Sequence, residues 1–313
     1  MMDFMGAAKL AVLPLLCVFL LCDSVDTALS YPKERAFTLR EILRLRCSLN
    51  PDEQAITTWK GSAFLHAYQM QPKNVFDVVG VNIGRCLNDS VNRQIIVTTR
   101  ETQLYVDTRT GEKLIQWTNP YTGETVPVVH VANDPVQSTI LVDGFSSTGY
   151  LTSENQIMLS IDVNLFYPNP LYGNETLRNY SKERIYEAGE YFKYFTKLSQ
   201  ITNESLTAVE QMDISWTRVA PMLPWMNMST RYNGTLVFSA QGTRVARLDQ
   251  LDDVLLNEIN ERIPIYQNAP TCQLNSSSET SWKYFAKYFS EYLSKTQEFP
   301  IPKSQEDIPC VPT

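Results

Sequence analysis

The stretch Arg93–Asn119, RQIIVTTRETQLYVDTRTGEKLIQWTN, decides the fold class of the chain. β-Branched and aromatic residues dominate it, which is typical of strands. The sequence DTRTG at Asp107–Gly111 predicts a hairpin loop, and NPYTGE at Asn119–Glu124 predicts a second tight turn. Two consecutive hairpins make an antiparallel meander, so the middle of the chain is predicted to be sheet.

Segments outside this stretch extend the predicted sheet, namely Asn74–Cys86, Gln156–Pro168 and Gly234–Val245. A run of about six or seven neighbouring strands leaves exposed edges unless the sheet curls or closes. We therefore predict a mainly β fold, an antiparallel meander curled into a lipocalin-like barrel. Two or three helices are expected to flank it toward the C-terminus.

The helical patterns lie late in the chain. Leu248–Ile263 places its apolar residues on one face at a period of 3.6 residues. Ser281–Lys295 also predicts a helix, with Ser281 as its N-cap and an aromatic face. Glu183–Leu198 is compatible with a helix or a strand. No internal repeat and no interdomain linker interrupts the pattern, so one domain is expected.

The N-terminal residues have the pattern of a secretory signal. Lys9 precedes twelve apolar residues, Ala11–Cys22, and small residues follow. We predict a signal peptide at 1–30 with cleavage between 24 and 30, a single β-barrel-like domain at 31–271, and a C-terminal helix with a Pro-rich tail at 272–313, pinned by a disulfide. An uncleaved signal anchor is the alternative. No later apolar run reaches the length of a membrane span.

Sequons and cysteines agree with an extracellular, glycosylated product. Seven Asn-x-Ser/Thr sequons are present, at Asn88, Asn174, Asn179, Asn203, Asn227, Asn233 and Asn275. The four cysteines beyond the signal allow three disulfide connectivities. Cys47–Cys86 and Cys272–Cys310 are favoured, because each closes a short local loop. A zinc site built from all four is the rival, but no C-x-x-C spacing supports it.

Several classes of function have little support in the sequence. The formal net charge is −7 and no Lys/Arg cluster occurs, so nucleic acid is a poor candidate partner. Neither a Gly-rich nucleotide loop nor a G-x-S-x-G elbow is present. His66 and His130, the two histidines, lie in separate segments, so we predict no metal and no cofactor. The oligomeric state stays open.

His130 and Arg218 are the main candidates for catalysis. His130 is a natural proton shuttle, and Asp134 could orient it if the chain turns at Ala132–Pro135. The alternative is a core histidine beside an aspartate that forms an Asx turn. Arg218 lies beside Trp216 and could hold a carboxylate or an enolate oxygen. Alternatively, Arg218 is structural and pairs with a carboxylate such as Asp134 or Glu124.

The candidate ligand-binding residues are aromatic and amide side chains of the same two segments: Trp117, Asn119, Asn133, Trp216 and Trp225. Aromatic residues form 11% of the chain, which is enough either to line a cavity or simply to fill a barrel.

Some of these segments also resemble a known family. LRCSLNPDE, FDVVGVNIGRC, WTNPYTGETVPVVHVANDPV and SWTRVAPMLPWMNM occur in the order of domain-of-unknown-function family 1838, at 45–53, 76–86, 117–136 and 215–228. This family comprises bacterial and fungal exported proteins of unknown function. The resemblance implies export and a shared fold, and it implies no reaction.

Three functions follow as expectations. The first is a secreted glycoprotein with a β-barrel pocket that binds a small apolar or aromatic molecule. The alternative is a secreted enzyme, an isomerase, cyclase or hydrolase, with His130 as acid/base and Arg218 stabilising an oxyanion. A third is an extracellular structural or interaction glycoprotein without a small ligand.

Overall fold

The computed structural model describes residues 32–67, 69–153, 155–228, 234–302 and 309–311. The predicted signal peptide at 1–30 and the sequon at Asn233 lie outside these residues. Pro32–Thr313 forms one compact unit.

The described residues form twelve strands: β1 (Lys33–Phe37), β2 (Ala55–Ala67), β3 (Lys73–Asp89), β4 (Gln94–Val106), β5 (Gln116–Thr118), β6 (Thr125–Pro127), β7 (Val131–Leu141), β8 (Ser147–Ser153), β9 (Gln156–Pro168), β10 (Ile185–Lys197), β11 (Asp213–Ala220) and β12 (Gly234–Val245). The helices are short: α1 (Leu39–Arg46), α2 (Glu175–Arg178), α3 (Leu198–Ile201), α4 (Asp253–Glu261), α5 (Ser281–Lys287) and α6 (Phe289–Ser294).

Ten of these strands form one antiparallel sheet in the order β1-β8-β9-β10-β11-β12-β2-β3-β4-β7. The sheet curls into a half-barrel, so the predicted mainly β, antiparallel and curled fold is confirmed. β1 and β7 are its two edges, and the barrel is therefore open rather than closed.

The predicted meander in the middle of the chain is wrong in one respect. β4 pairs with β7, whereas β5 and β6 form a separate two-stranded sheet. β5 and β6 have only three residues each. Pro120 and Pro127 cannot donate ladder hydrogen bonds, which limits how far these strands extend. The longer β7 therefore takes the place beside β4.

The predicted helices are shorter in the structure. In Leu248–Ile263, Asp252 caps α4 by accepting from Val254 N, and a 3₁₀ turn precedes the cap. The predicted helix at Ser281–Lys295 is broken at Tyr288 into α5 and α6, and Thr280 rather than Ser281 is the N-cap. The ambiguous segment Glu183–Leu198 is mostly strand β10.

The curl brings distant strands to face each other. Glu101 on β4 and Glu190 on β10 interact electrostatically, although five strand spacings separate β4 from β10 in the sheet. In a flat sheet these strands would lie about 24 Å apart. The face that carries both side chains is thus the concave one, and we call it the inner face.

Each end of the inner face is covered by a buried cluster. At one end, Trp225, Trp282 and Phe285 belong to a large aromatic core. At the other, Ile42 and Leu45 of α1 pack with inner-face residues of β9 and β11. Phe192 packs against both clusters and is only half-buried. The middle of the inner face therefore lies between two covered ends, and we call it the cleft.

Both favoured disulfides are confirmed. Cys47–Cys86 joins the residue after α1 to β3, and Cys272–Cys310 joins the two ends of the C-terminal tail. Five sequon asparagines are exposed: Asn88, Asn174, Asn179, Asn203 and Asn275. Asn227 is half-buried, and its Nδ2 donates to both carboxylate oxygens of Glu124, at 3.0 and 3.1 Å.

Candidate functional site

His130 is a buried residue whose hydrogen bonds are complete. It is 1% exposed, and its Nδ1 accepts from Tyr105 N at 3.0 Å. Its Nε2 donates to Leu114 O, also at 3.0 Å. Burial, helped by the positive charge of Lys113, lowers the pKa of His130 to about 3. The ring is therefore neutral at physiological pH, with one nitrogen in each role, and it holds the chain before β7 against β4.

Asp134 is also buried, but its partner is Arg100 rather than His130. Arg100 Nε donates to Asp134 Oδ1 at 3.0 Å. The same guanidinium donates to Ile265 O and Asn268 O, at 3.2 and 2.6 Å. The pair joins β4 and β7 to the 3₁₀ turn at Pro264–Gln267. The predicted pairing of Asp134 with His130 is not formed.

Trp117 and Trp225 belong to the buried aromatic core, which also includes Trp216, and Asn119 contacts that core through Met228. Trp117 Nε1 donates to Val75 O at 3.3 Å, and its ring packs edge-on against Trp225 at 5.8 Å. Asn119 Oδ1 accepts from the backbone N–H groups of Tyr121 and Thr122, which closes the NPYTGE turn. Trp117 and Asn119 thus have structural roles, whereas Trp225 Nε1 is a further buried donor without a partner among the described residues.

Arg218 and Trp216 lie on the inner face in the cleft. Strand pairing places Arg218 opposite Glu190, and its Nη1 lies 3.2 Å from Glu190 Oε1. Its Nη2 donates to the hydroxyl of Tyr186 at 2.6 Å. Burial opposes the charge on Arg218, but Tyr186 and Glu190 outweigh burial and raise the pKa of the guanidinium. Neither Asp134 nor Glu124, the partners considered from the sequence, is bonded to it.

An aromatic floor lies beside this ion pair. The Trp216 ring contacts Trp59, Phe192 and Phe238, with centroids 6.2, 6.3 and 5.7 Å away. Trp59 needs Gly80 on the neighbouring strand, because a Cβ there would lie 2.3 Å from the indole. The indole therefore lies across Gly80 and donates from Nε1 to Gln103 Oε1 at 2.9 Å.

Glu101 faces the ion pair from the opposite wall. A register shift between Thr99 and Glu101 places it opposite Asn133, whose Nδ2 donates to Glu101 Oε1 at 3.4 Å. Burial and the charge of Glu190 raise the pKa of Glu101 to about 7, although Arg218 acts in the opposite direction. Glu101 thus exchanges a proton near neutral pH.

Three buried polar atoms of the cleft have no hydrogen-bond partner among the described residues: Trp216 Nε1, Arg218 Nε and Asn133 Oδ1. The side chains of Arg218 and Glu190 nevertheless keep 14% and 17% of their surface accessible. Buried donors without partners are costly in a folded protein. Two free N–H donors are therefore suited to receive an acceptor oxygen.

A sequence model of the family described as "Protein of unknown function (DUF1838)" matches residues 52–289. The chain belongs to the DUF1838 family. No curated protein matches it. The segment that DUF1838 covers contains every cleft residue described above, from Trp59 to Arg218, and it ends within α6. No helix among the described residues is long and apolar enough to cross a membrane.

The structure of this DUF1838 chain brings together three of the predicted site residues, Arg218, Trp216 and Asn133, and separates them from His130 and Asp134. Sequence reasoning did not identify Glu101, Glu190 and Trp59. A signal for Glu101 is present, because Arg100–Glu101 places two charges inside an apolar strand. Buried charges require partners or a function. Arg100 has its partner in Asp134, and Glu101 has no opposite charge of its own.

Proposed function

We propose that this DUF1838 protein binds a small molecule in the cleft, with an apolar or aromatic body and at least one acceptor oxygen. The observation that carries the proposal is the pair of buried, unpartnered donors at Trp216 Nε1 and Arg218 Nε. A ligand oxygen at that place would supply the hydrogen bonds that the fold leaves unmade.

The apolar part of the proposed ligand would lie on the aromatic floor. Trp59 and Phe192 are half-buried, as are Ile161 and Val163 on the adjoining inner face of β9. Aromatic rings bury much area on contact and favour stacked or edge-on partners. The cleft therefore suits a flat or bulky hydrocarbon body better than a highly hydrated one.

Titration with a fluorescent naphthyl ketone, 2-acetyl-6-(dimethylamino)naphthalene, tests this function. We expect saturable binding of one probe with a blue-shifted emission, and about fivefold weaker binding to Trp216→Phe, since a hydrogen bond is worth about 1 kcal/mol. Val219→Ala, on the other face of the same strand, is the matched control and should bind like the wild type. Equal binding by the wild type and Trp216→Phe, or none, would refute the proposal.

Secretion and glycosylation are part of the same proposal. Two disulfides, a sequence typical of a signal peptide and five exposed sequons support an extracellular glycoprotein. Expression of the full chain in eukaryotic cells should place it in the medium. Its mass should fall on treatment with an N-glycosidase. A product that stays intracellular at the mass of the full unmodified chain would contradict this part.

An enzyme is the second candidate, and Glu101 is the observation that favours it. A carboxyl group whose pKa lies near 7, across the cleft from two unpartnered donors, has the properties of a general acid or base. In this version Glu101 takes the role that the sequence suggested for His130, while Arg218 keeps the role of oxyanion stabiliser.

A further inference from the structure

We propose that Glu101 is the catalytic base of a reaction that moves a proton between carbon atoms next to a carbonyl group of a substrate with an apolar or aromatic body. This inference rests on the proposed binding of such a molecule in the cleft. It assigns a reaction class and a chemical class of substrate, an enolisable ketone or enone.

Glu101 is placed where it could act as a base on a molecule bound in the cleft. It lies on β4 across the cleft from Arg218 and Glu190, so a molecule between the walls would contact the base on one side and the guanidinium on the other. The titratable and charged groups that face it are Glu190 from β10, Arg218 from β11 and Tyr105 from its own strand. Asn82 and Asn133 face it from β3 and β7.

The two unpartnered groups on β11 are N–H donors, so they suit an acceptor oxygen of a ligand better than a second base. Arg218 uses Nη1 for Glu190 and Nη2 for Tyr186, which leaves Nε without a partner among the described residues. Trp216 Nε1, two residues away on the same strand face, is likewise unpartnered. Two fixed N–H donors and a nearby positive charge are the arrangement that stabilises an enolate oxygen.

The reaction needs no further reactant. The ionised carboxylate of Glu101 takes a proton from the carbon next to the carbonyl group. The electron pair of the C–H bond forms a carbon–carbon double bond, and the carbonyl π pair moves to the oxygen, which Trp216 and Arg218 hold. When the protonated carboxyl group of Glu101 first exchanges its proton with water, reprotonation of the same carbon delivers a solvent proton in place of the original one. Return to a conjugated carbon gives an isomer.

Deuterium exchange tests this reaction without knowledge of the natural substrate. 2-Tetralone, a bicyclic aromatic ketone, is incubated with the intact protein in D₂O, and loss of its C1 proton signal is followed by NMR. Bound probe is measured in the same samples by saturation transfer. We expect wild-type protein to accelerate exchange at least about 100-fold over Glu101→Gln at equal bound fraction.

The pH profile separates a catalytic carboxylate from a structural one. Because the base must be ionised, the wild-type exchange rate should rise with pH to a midpoint near 7. Glu190→Gln should lower that midpoint, since the charge of Glu190 raises the pKa of Glu101. Trp216→Phe should lower the rate per bound probe about tenfold while the midpoint stays in place.

The outcomes of the exchange experiment are distinguishable. Probe that binds both proteins equally and exchanges at the same rate in both overturns the role of Glu101 and leaves the binding function intact. Failure of the probe to bind either protein overturns both proposals. Because Glu101→Gln keeps the shape of the side chain and removes a buried charge, it should fold; its circular dichroism spectrum and unfolding midpoint establish this.

Discussion

Burial shifts the pKa of both His130 and Glu101, but the hydrogen bonding around the two groups differs. Both ring nitrogens of His130 have backbone partners. Around Glu101, by contrast, three polar atoms have no partner among the described residues, and the facing side chains keep accessible surface. The hydrogen bonds of the His130 ring are complete, whereas the cleft keeps donors that the proposed ligand would satisfy.

Complete hydrogen bonding separates a structural group from a candidate site more clearly than the rarity of its residue type does. A lone histidine attracts attention in a sequence because its pKa is close to neutrality. Burial removes that property in His130, and burial confers it on Glu101. The environment, rather than the residue type, decides which of the two can exchange a proton.

The largest expected effect is the loss of stability in His130→Ala. The variant leaves Tyr105 N–H and Leu114 C=O buried without partners and opens a cavity beside the Tyr105 ring. We expect a cost of about 4 kcal/mol in the free energy of unfolding. Denaturant titration measures it. His66→Ala, at the exposed histidine on β2, is the control and should change stability by less than about 0.5 kcal/mol. A His130→Ala protein as stable as wild type would show that the buried hydrogen bonds of His130 do not stabilise the fold.

Asp134→Asn is expected to cost about 3 kcal/mol, because it leaves the buried charge of Arg100 without its counter-ion. The exposed pair Arg93–Asp143 provides the control, since its side chains are 69% and 64% exposed. Asp143→Asn should cost about 0.5 kcal/mol or less. Chemical unfolding of the wild type, His130→Ala, Asp134→Asn and Asp143→Asn measures the free-energy cost of each substitution. Equal costs for the two Asp→Asn variants would show that Asp134 is not structural.

Most of the fold was predictable from the sequence, because its strands, turns and disulfide loops depend on residues that are close together in the chain. The β-branched and aromatic residues of Arg93–Val106 and Gln156–Pro168, together with turn residues between strands, are enough to predict an antiparallel curled sheet. Short loop closure was enough to favour the correct disulfides. The error in the predicted strand pairing also has a local cause, because β5 and β6 are too short to displace β7 from the edge of β4.

The site was less predictable, because the residues that form it lie far apart in the chain. Glu190 and Arg218 face each other on adjacent strands, and only the curl brings Glu101 on β4 opposite them. Arg218 and Trp216 were identifiable from their strand alternation. Nothing near Glu101 in the sequence shows that Arg100 turns to Asp134 while Glu101 faces the cleft, because the register shift at this point depends on pairing with β7.

Glu101→Gln is expected to stabilise the protein at pH 8 by about 3 kcal/mol. The pKa of Glu101 rises from 4.5 to about 7 on folding. Between these values the native protein binds a proton that the unfolded chain does not, so the contribution of Glu101 to stability falls as pH rises through this range. His130 has the opposite sign: between pH 6.5 and about 3 the unfolded chain binds the extra proton, and stability falls as pH falls.

Unfolding free energies of wild type and Glu101→Gln at pH 4.5 and pH 8 measure this effect. The two proteins should be equally stable within about 0.5 kcal/mol at pH 4.5, where the carboxyl group is protonated in the native state. A difference that is the same at both pH values would mean that Glu101 does not titrate in this range, and the contrast with His130 would be lost.

The smallest expected effect is the difference in stability between Trp117→Phe and Trp216→Phe, two variants with the same substitution. Trp117→Phe removes an indole N–H that donates to Val75 O, whereas Trp216→Phe removes one that has no partner among the described residues. Both variants lose the same ring volume from a buried position, at 6% and 8% exposure. Their difference in stability therefore reports the hydrogen bond, and Trp117→Phe should be less stable by about 1 kcal/mol. Thermal unfolding of both variants measures the difference. If Trp216→Phe were the less stable of the two, its N–H would have a partner in the folded protein, and the cleft would be as complete as the surroundings of His130.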